Sequence, residues 1–168
     1  MESQHDDAPL EPRPPLLKDL VDLCRRLNAA GARYVVVGGM DIIQHGFVRA
    51  TEDIDLLVDA SRENFDKIKT AMLGLPDGAI RDVQPGDLDQ YVVVRVGDEF
   101  VVDLMKAACG VEYAEASTEV QVVTLEGVPI PFATAKLLWR LKQTHREKDV
   151  EDRAFLRELL KNEPLGNG

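Results

Sequence analysis

With 168 residues, 45% hydrophobic but only 5% aromatic, the chain suits one domain with an aliphatic core and is short for two. A net charge of −10 argues against a general nucleic-acid binder, since a polyanion is repelled, yet leaves room for a nucleotide whose phosphates arrive with divalent cations. No run approaches the roughly 20 apolar residues of a membrane span. No export signal is expected, and Cys24 and Cys109 read as buried thiols of a reducing, cytoplasmic compartment.

Residues 1–15 carry Pro9, Pro12, Pro14 and Pro15 with few apolar side chains, the composition of a disordered or extended arm; residues 16–162 form a single domain. From Leu16 the apolar positions Leu16, Leu17, Leu20, Val21, Leu23, Cys24 and Leu27 recur at helical spacing, with Gly31 as the stop. Tyr34–Val37 is a continuous β-branched run, a buried strand that ends at Gly38-Gly39. Residues 40–46 make about two helical turns. Asp53–Val58 reads as a second strand, and Ser61 caps a helix to Leu73, with Asn64 where a capping box carries Glu. Turn-rich patches follow at 75–78 and 85–89. Tyr91–Val96 and Glu99–Met105 form a hairpin around Gly97-Asp98, and Glu119–Leu125 and Val128–Phe132 another around Glu126-Gly127. Helices over 134–145 and 147–161 close the chain. The predicted fold is α/β (α+β), a mixed sheet with flanking helices and a short C-terminal helical extension.

The stretch Val35-Val-Val-Gly-Gly-Met40 followed by Arg49-Ala-Thr-Glu-Asp-Ile-Asp-Leu-Leu-Val58 carries the chemistry. Residues two apart on a strand share a face, so Asp53 and Asp55 stand side by side while Ile54 and Leu56 enter the core. Adjacent carboxylates resist joint ionisation, and a divalent cation with oxygen ligands relieves them. Asp103, alone in Val101-Val-Asp-Leu-Met105, supplies a third acid or is an edge-strand charge. Three carboxylates holding two Mg²⁺ ions suit phosphoryl-type transfer. A glycine pair between strand and helix either makes a turn or lets backbone approach a phosphate. Lys136, Arg140, Lys142, Arg146 and Lys148, against the single acid Glu147, form either a solvated helix face or a seat for an RNA end.

These blocks resemble the polymerase-β-like nucleotidyltransferase superfamily: Val37-Gly38-Gly39, a spacer over residues 40–52, Asp53-Ile-Asp-Leu56, and later Val102-Asp103-Leu104. Gly-Gly-Met40, His45-Gly46 and Arg49-Ala-Thr51 are similar to the minimal (MNT) and AbiEii-type members of toxin–antitoxin and phage-defence systems. Lys136 and Arg146-Glu-Lys-Asp-Val-Glu-Asp152 resemble the C-terminal elements of the AbiEii type. The resemblance, over roughly residues 33–160, implies Asp53, Asp55 and Asp103 as catalytic metal ligands for two Mg²⁺ ions. It implies Gly38 and Gly39 against the phosphates of a nucleoside triphosphate, and Arg49, Thr51 and Lys136 as further nucleotide contacts. Arg49 and Thr51 are equally read as ordering the loop before the strand, and Lys136 as a surface lysine. Lys148, Asp149 and Asp152 either shape the site or form helix-face pairs, with the second preferred; His45 and Trp139 read as packing residues before a general base and a base-stacking side chain. Asp41 departs from the pattern, since relatives commonly carry a small apolar residue there; it is repulsive to a triphosphate unless it turns away or contacts a cation.

The resemblance implies an enzyme that moves NMP from an NTP to a hydroxyl of a protein, an RNA end such as that of tRNA, or a small molecule. A cognate toxin or antitoxin is an expected partner, and a membrane is not. A non-catalytic antitoxin or interaction module is the alternative. A third reading makes the acids a structural cation site in an unrelated α+β domain, and whether Asp103 lies beside Asp55 is the test of the site.

Overall fold

A computed structural model describes residues 11–162. The first ten residues of the expected arm therefore lie outside the described residues. Nearby, Arg13 donates its backbone N–H to the Glu99 carbonyl and grips Asp19 with both guanidinium ends, at 2.7 and 2.8 Å. Asp19 also accepts the N–H of Leu16, so this acid caps the first helix.

Helix α1 (Leu17–Ala30) buries Leu20, Val21, Leu23, Cys24 and Leu27 on one face and stops at Gly31, left-handed at φ 75°. Strand β1 (Tyr34–Val37) follows, then α2 (Gly38–Gln44), β2 (Asp53–Val58) and α3 (Arg62–Met72). The Ser61 hydroxyl accepts the Asn64 N–H as predicted, but the Asn64 side chain does not complete a capping box. It is buried and clips two loops together, accepting from Arg33 N–H and donating to the carbonyls of Arg33 and Asp59.

After a short 3₁₀ turn (Ala79–Asp82) and α4 (Asp87–Gln90) comes the hairpin of β3 (Val93–Gly97) and β4 (Val101–Met105). Its turn is one residue longer than predicted, spanning Asp98 to Phe100. The longer turn buries the Asp98 carboxylate, which accepts the N–H groups of Asp77, Ala79 and Glu99. Two-residue strands β5 (Ala107–Ala108) and β6 (Val111–Glu112) then pair, and α5 (Tyr113–Ala116) follows. This small hairpin corrects the expectation for Cys109. The residue stands exposed at its turn with φ 47°, whereas Cys24 is buried as expected. Strands β7 (Val120–Leu125) and β8 (Val128–Ala133) pair around Glu126-Gly127, and helices α6 (Ala135–Leu141) and α7 (Glu147–Lys161) end the described chain. Helix α6 stops four residues short of the predicted end.

Six strands form one mixed sheet in the order β3-β4-β2-β1-β8-β7. The pairs β2–β4 and β1–β8 are parallel and the others antiparallel. Alternation along the strands divides the core between the two faces. Ile54, Leu56, Val102 and Leu104 pack with α1 and α3. Val35, Val37 and Leu57 pack with Ile42 of α2, Leu137, Leu138 and Leu141 of α6, and Leu156 of α7. The mixed α+β class is the predicted one, and the second face carries the predicted acids. Among the described residues, no helix is long and apolar enough to cross a membrane.

Candidate active site

The central strands position the acids. In the parallel β2–β4 ladder Asp55 lies opposite Asp103, and Asp53 is one pleat repeat before Asp55 on the same face. One carboxylate oxygen from each of the three lies within 4.8 Å of the others. Side-chain exposure is 25% for Asp53 and 10% for Asp103. Burial first, then the charges of Asp53 and Asp103, push the Asp55 carboxyl up to about 8. Three hard oxygen donors converging in a half-buried place, one of them reluctant to ionise beside its neighbours, fit a divalent cation.

The glycine pair has a steric reason at each position. Asp55 pairs with Val37, so the chain passes Asp55 as it leaves β1. Gly38 has φ +69°, and a Cβ there would collide with the Asp55 carboxylate. A Cβ on Gly39 would collide with the Thr51 hydroxyl. The pair therefore permits contact between the β1–α2 bend, the acid and the loop before β2.

That loop is fixed by a second charge cluster. Arg49 donates from Nε and Nη2 to the two oxygens of Asp152, both at 2.9 Å, and from Nη1 to the Ala50 carbonyl. Thr51 donates its hydroxyl to the Asp53 carbonyl at 3.1 Å. Both residues order the backbone that enters β2. Asp152 is fully buried and also meets Lys142 Nζ at 2.8 Å, while Lys142 reaches Asp149 at 3.4 Å. Thr144 donates to Asp149, and Arg153 donates to the Lys142 and Thr144 carbonyls. Asp149 and Asp152 thus face the protein interior; the expected helix-face partner Lys148 is exposed and lies 3.8 Å from Glu52.

In the sequence Lys142 is one of five basic residues in a stretch, with nothing to single it out. It lowers the Asp55 pKa by its charge, and it shares with Gly38, Asp55, Cys109 and Arg146 a cavity of about 240 Å³. Lys136, the predicted contact, is exposed and lines a different cavity with His45 and Gln121. The break of α6 at Leu141 separates the two lysines: Lys136 stays on the helix surface, and Lys142, just past the end, turns inward. The basic stretch is also less open than its composition implies, because Arg140 is held by Glu115 and Glu119. Trp139 is half-buried, with the Arg157 guanidinium 5.5 Å from its ring centre.

Sequence reasoning missed Arg95. It pairs with Asp103 across β3–β4 and donates from Nε and Nη2 to its two oxygens, both at 3.0 Å; Nη2 also lies 3.4 Å from Asp53. Arg95 and Asp53 line a second cavity, of about 390 Å³, with Pro12, Pro14 and Glu52. The alternation Val94-Arg95-Val96 sends both valines to the core and the arginine to the other face, and the register of the longer turn sets it opposite Asp103.

Asp41 turns away from the site. Its side chain is fully buried, with Oδ1 3.2 Å from His45 Nε2, and that ring nitrogen is 3.0 Å from the Ala133 carbonyl. Burial pushes the Asp41 carboxyl up to about 7 against the opposing pull of His45. His45 thereby ties α2 to the end of β8, in keeping with a packing role.

No family model matches the chain, and no curated protein does. Among solved structures, the chain is similar to the crystal structure of a candidate nucleotidyltransferase from Thermotoga maritima. That similarity has 18% identity, covers 88% of this chain and 93% of the other, and gives a TM-score of 0.55. At this identity the likeness is one of fold, and the chain has the nucleotidyltransferase fold.

Proposed function

We propose that the protein is a Mg²⁺-dependent nucleotidyltransferase that moves a nucleoside monophosphate from an NTP to a hydroxyl and releases pyrophosphate. The observation that carries this reading is the register that sets Asp55 against Asp103, with Asp53 beside them. In this reading Asp53 and Asp55 would hold two cations, and Asp103 would hold one of them and receive the proton of the acceptor hydroxyl. The hydroxyl oxygen forms a bond to the α-phosphorus as the α–β phosphoanhydride bond breaks. The bound cations supply the charge that acidifies the acceptor hydroxyl and offsets that of the leaving pyrophosphate.

Gly38 lets the chain lie close to Asp55, where phosphate oxygens would come, and Gly39 lets it lie close to Thr51. Lys142 and Arg146 line the cavity beside Asp55 together with Asp149, and the charge of Lys142 acts on Asp55. Arg49 and Thr51 serve the nucleotide through the loop they order. The acceptor is a protein, an RNA end such as that of tRNA, or a small molecule, and the acidic net charge favours a protein. Membership of the minimal or AbiEii-type group, and action beside a cognate toxin or antitoxin, belong to the same reading on the strength of the motif resemblance.

The test is incubation with α-labelled NTPs, Mg²⁺ and cell extract, with protein and RNA fractions read separately. Label on an acceptor that depends on Mg²⁺ and is lost in D53A/D55A is the expected result. Absence of label, together with no binding of Mg²⁺ or NTP by calorimetry, marks a non-catalytic interaction module instead.

A further inference from the structure

Asp103 and Arg95 differ in how they are held. Asp103 is anchored on β4 inside the sheet and is 10% exposed, whereas Arg95 reaches in from the edge strand β3 and is 64% exposed. The fork of Arg95 engages both oxygens of Asp103 and lies near a third oxygen on Asp53. A cation that binds Asp103 must therefore compete with Arg95 for the same oxygens. The acids cannot retreat, because they sit on packed strands, but the arginine can swing into solvent.

We propose that Arg95 is a displaceable countercharge that reserves the acid triad for a cation arriving with a nucleotide, an inference that rests on the nucleotidyltransferase reading of this site. A bare cation that displaces Arg95 leaves the guanidinium with water alone. A cation that brings a polyphosphate gives it a new anionic partner, since the guanidinium fork fits phosphate as well as it fits carboxylate. Arg95 thus weakens binding of the bare ion and strengthens binding of the ion–nucleotide complex, which couples the two ligands. Arg95 acts here as a positioning residue, and a lysine cannot replace it fully because it keeps the charge and loses the fork.

The test is Mn²⁺ binding, followed by the loss of the free-ion electron paramagnetic resonance signal. The full chain is titrated alone and then with each of the four α,β-nonhydrolysable nucleoside triphosphates. Melting curves of Arg95→Ala and Arg95→Lys check that both fold. For R95A the expected result is bare Mn²⁺ bound about tenfold more tightly than by the wild type, the scale of one charge-assisted pair at a half-open site. The tightening by nucleotide, present in the wild type, shrinks by about the same factor, and R95K falls between the two. Bare-ion affinity that is unchanged or weaker in R95A, or equal tightening by nucleotide in both proteins, overturns the role of Arg95 and leaves the nucleotidyltransferase reading intact. Bare-ion binding that survives D53N/D55N, or no binding by any folded variant beyond that of the nucleotide alone, overturns both.

Discussion

Two clusters of charge lie close together in this molecule, and they are composed differently. Arg49, Lys142, Asp149 and Asp152 pair two cations with two anions, with the acids buried and the basic groups nearly so. Asp53, Asp55 and Asp103 set three acids against one arginine that is largely exposed. The first cluster is complete in itself and holds the β2 loop to helix α7. The second has negative charge to spare, and burial makes that surplus costly without a further cation. Balance within a cluster thus distinguishes a clamp from a site prepared for a ligand.

The comparison predicts opposite responses to removal of acids. D53A/D55A is expected to lower nucleotide transfer by about a thousandfold, or about 4 kcal/mol of transition-state stabilisation. Its melting temperature at pH 8 should equal or exceed that of the wild type, because mutual repulsion is relieved. A large loss of stability instead would place the triad with the clamp. Asp152→Ala should do the reverse of D53A/D55A on stability: it leaves Arg49 and Lys142 without their shared partner and costs about 3 kcal/mol in urea unfolding at pH 7. Equal stability of D152A and wild type would remove the distinction.

Gly38→Ala is expected to act on both properties. Its Cβ forces the Asp55 carboxylate aside, and its φ of +69° is strained for alanine. A cost of about 2 kcal/mol should appear in the same unfolding experiment, with transfer lost beyond what stability explains. A last prediction concerns Asp41, a buried acid on which His45 and Lys142 act only weakly against burial. The folded state keeps its proton up to about pH 7, whereas the unfolded chain releases it at the ordinary aspartate value of about 3.8. In that window the folded state binds more protons, so stability falls as pH rises. The stability of Asp41→Asn relative to the wild type should therefore rise between pH 4 and pH 8, read as a widening gap between their unfolding midpoints. A difference that is independent of pH between 4 and 8 would contradict it.

What could be read from the sequence followed the range of the interaction. The alternation that places Asp53 and Asp55 on one face, the Ser61 cap and the Gly31 stop depend on neighbours a few residues away, and all are found. The lone acid of Val101–Met105 was legible because a charge in an apolar run needs a reason. The Arg49–Asp152 pair joins residues 103 apart, and no local pattern marks it. Arg95 depended on the register of a hairpin whose turn is longer than Gly97-Asp98 alone would make it. Lys142 was hidden by the early end of α6, and the turn that exposes Cys109 by strands of only two residues.

The central claim is that these three carboxylates, facing one another across β2 and β4, hold the cation of nucleotidyl transfer. It is tested most directly by anomalous diffraction from crystals grown with Mn²⁺ and a nonhydrolysable nucleoside triphosphate. The account predicts a manganese peak bounded by the oxygens of Asp53, Asp55 and Asp103, with phosphate density beside Gly38. Manganese bound elsewhere, or no peak at the three acids with nucleotide present, would contradict it.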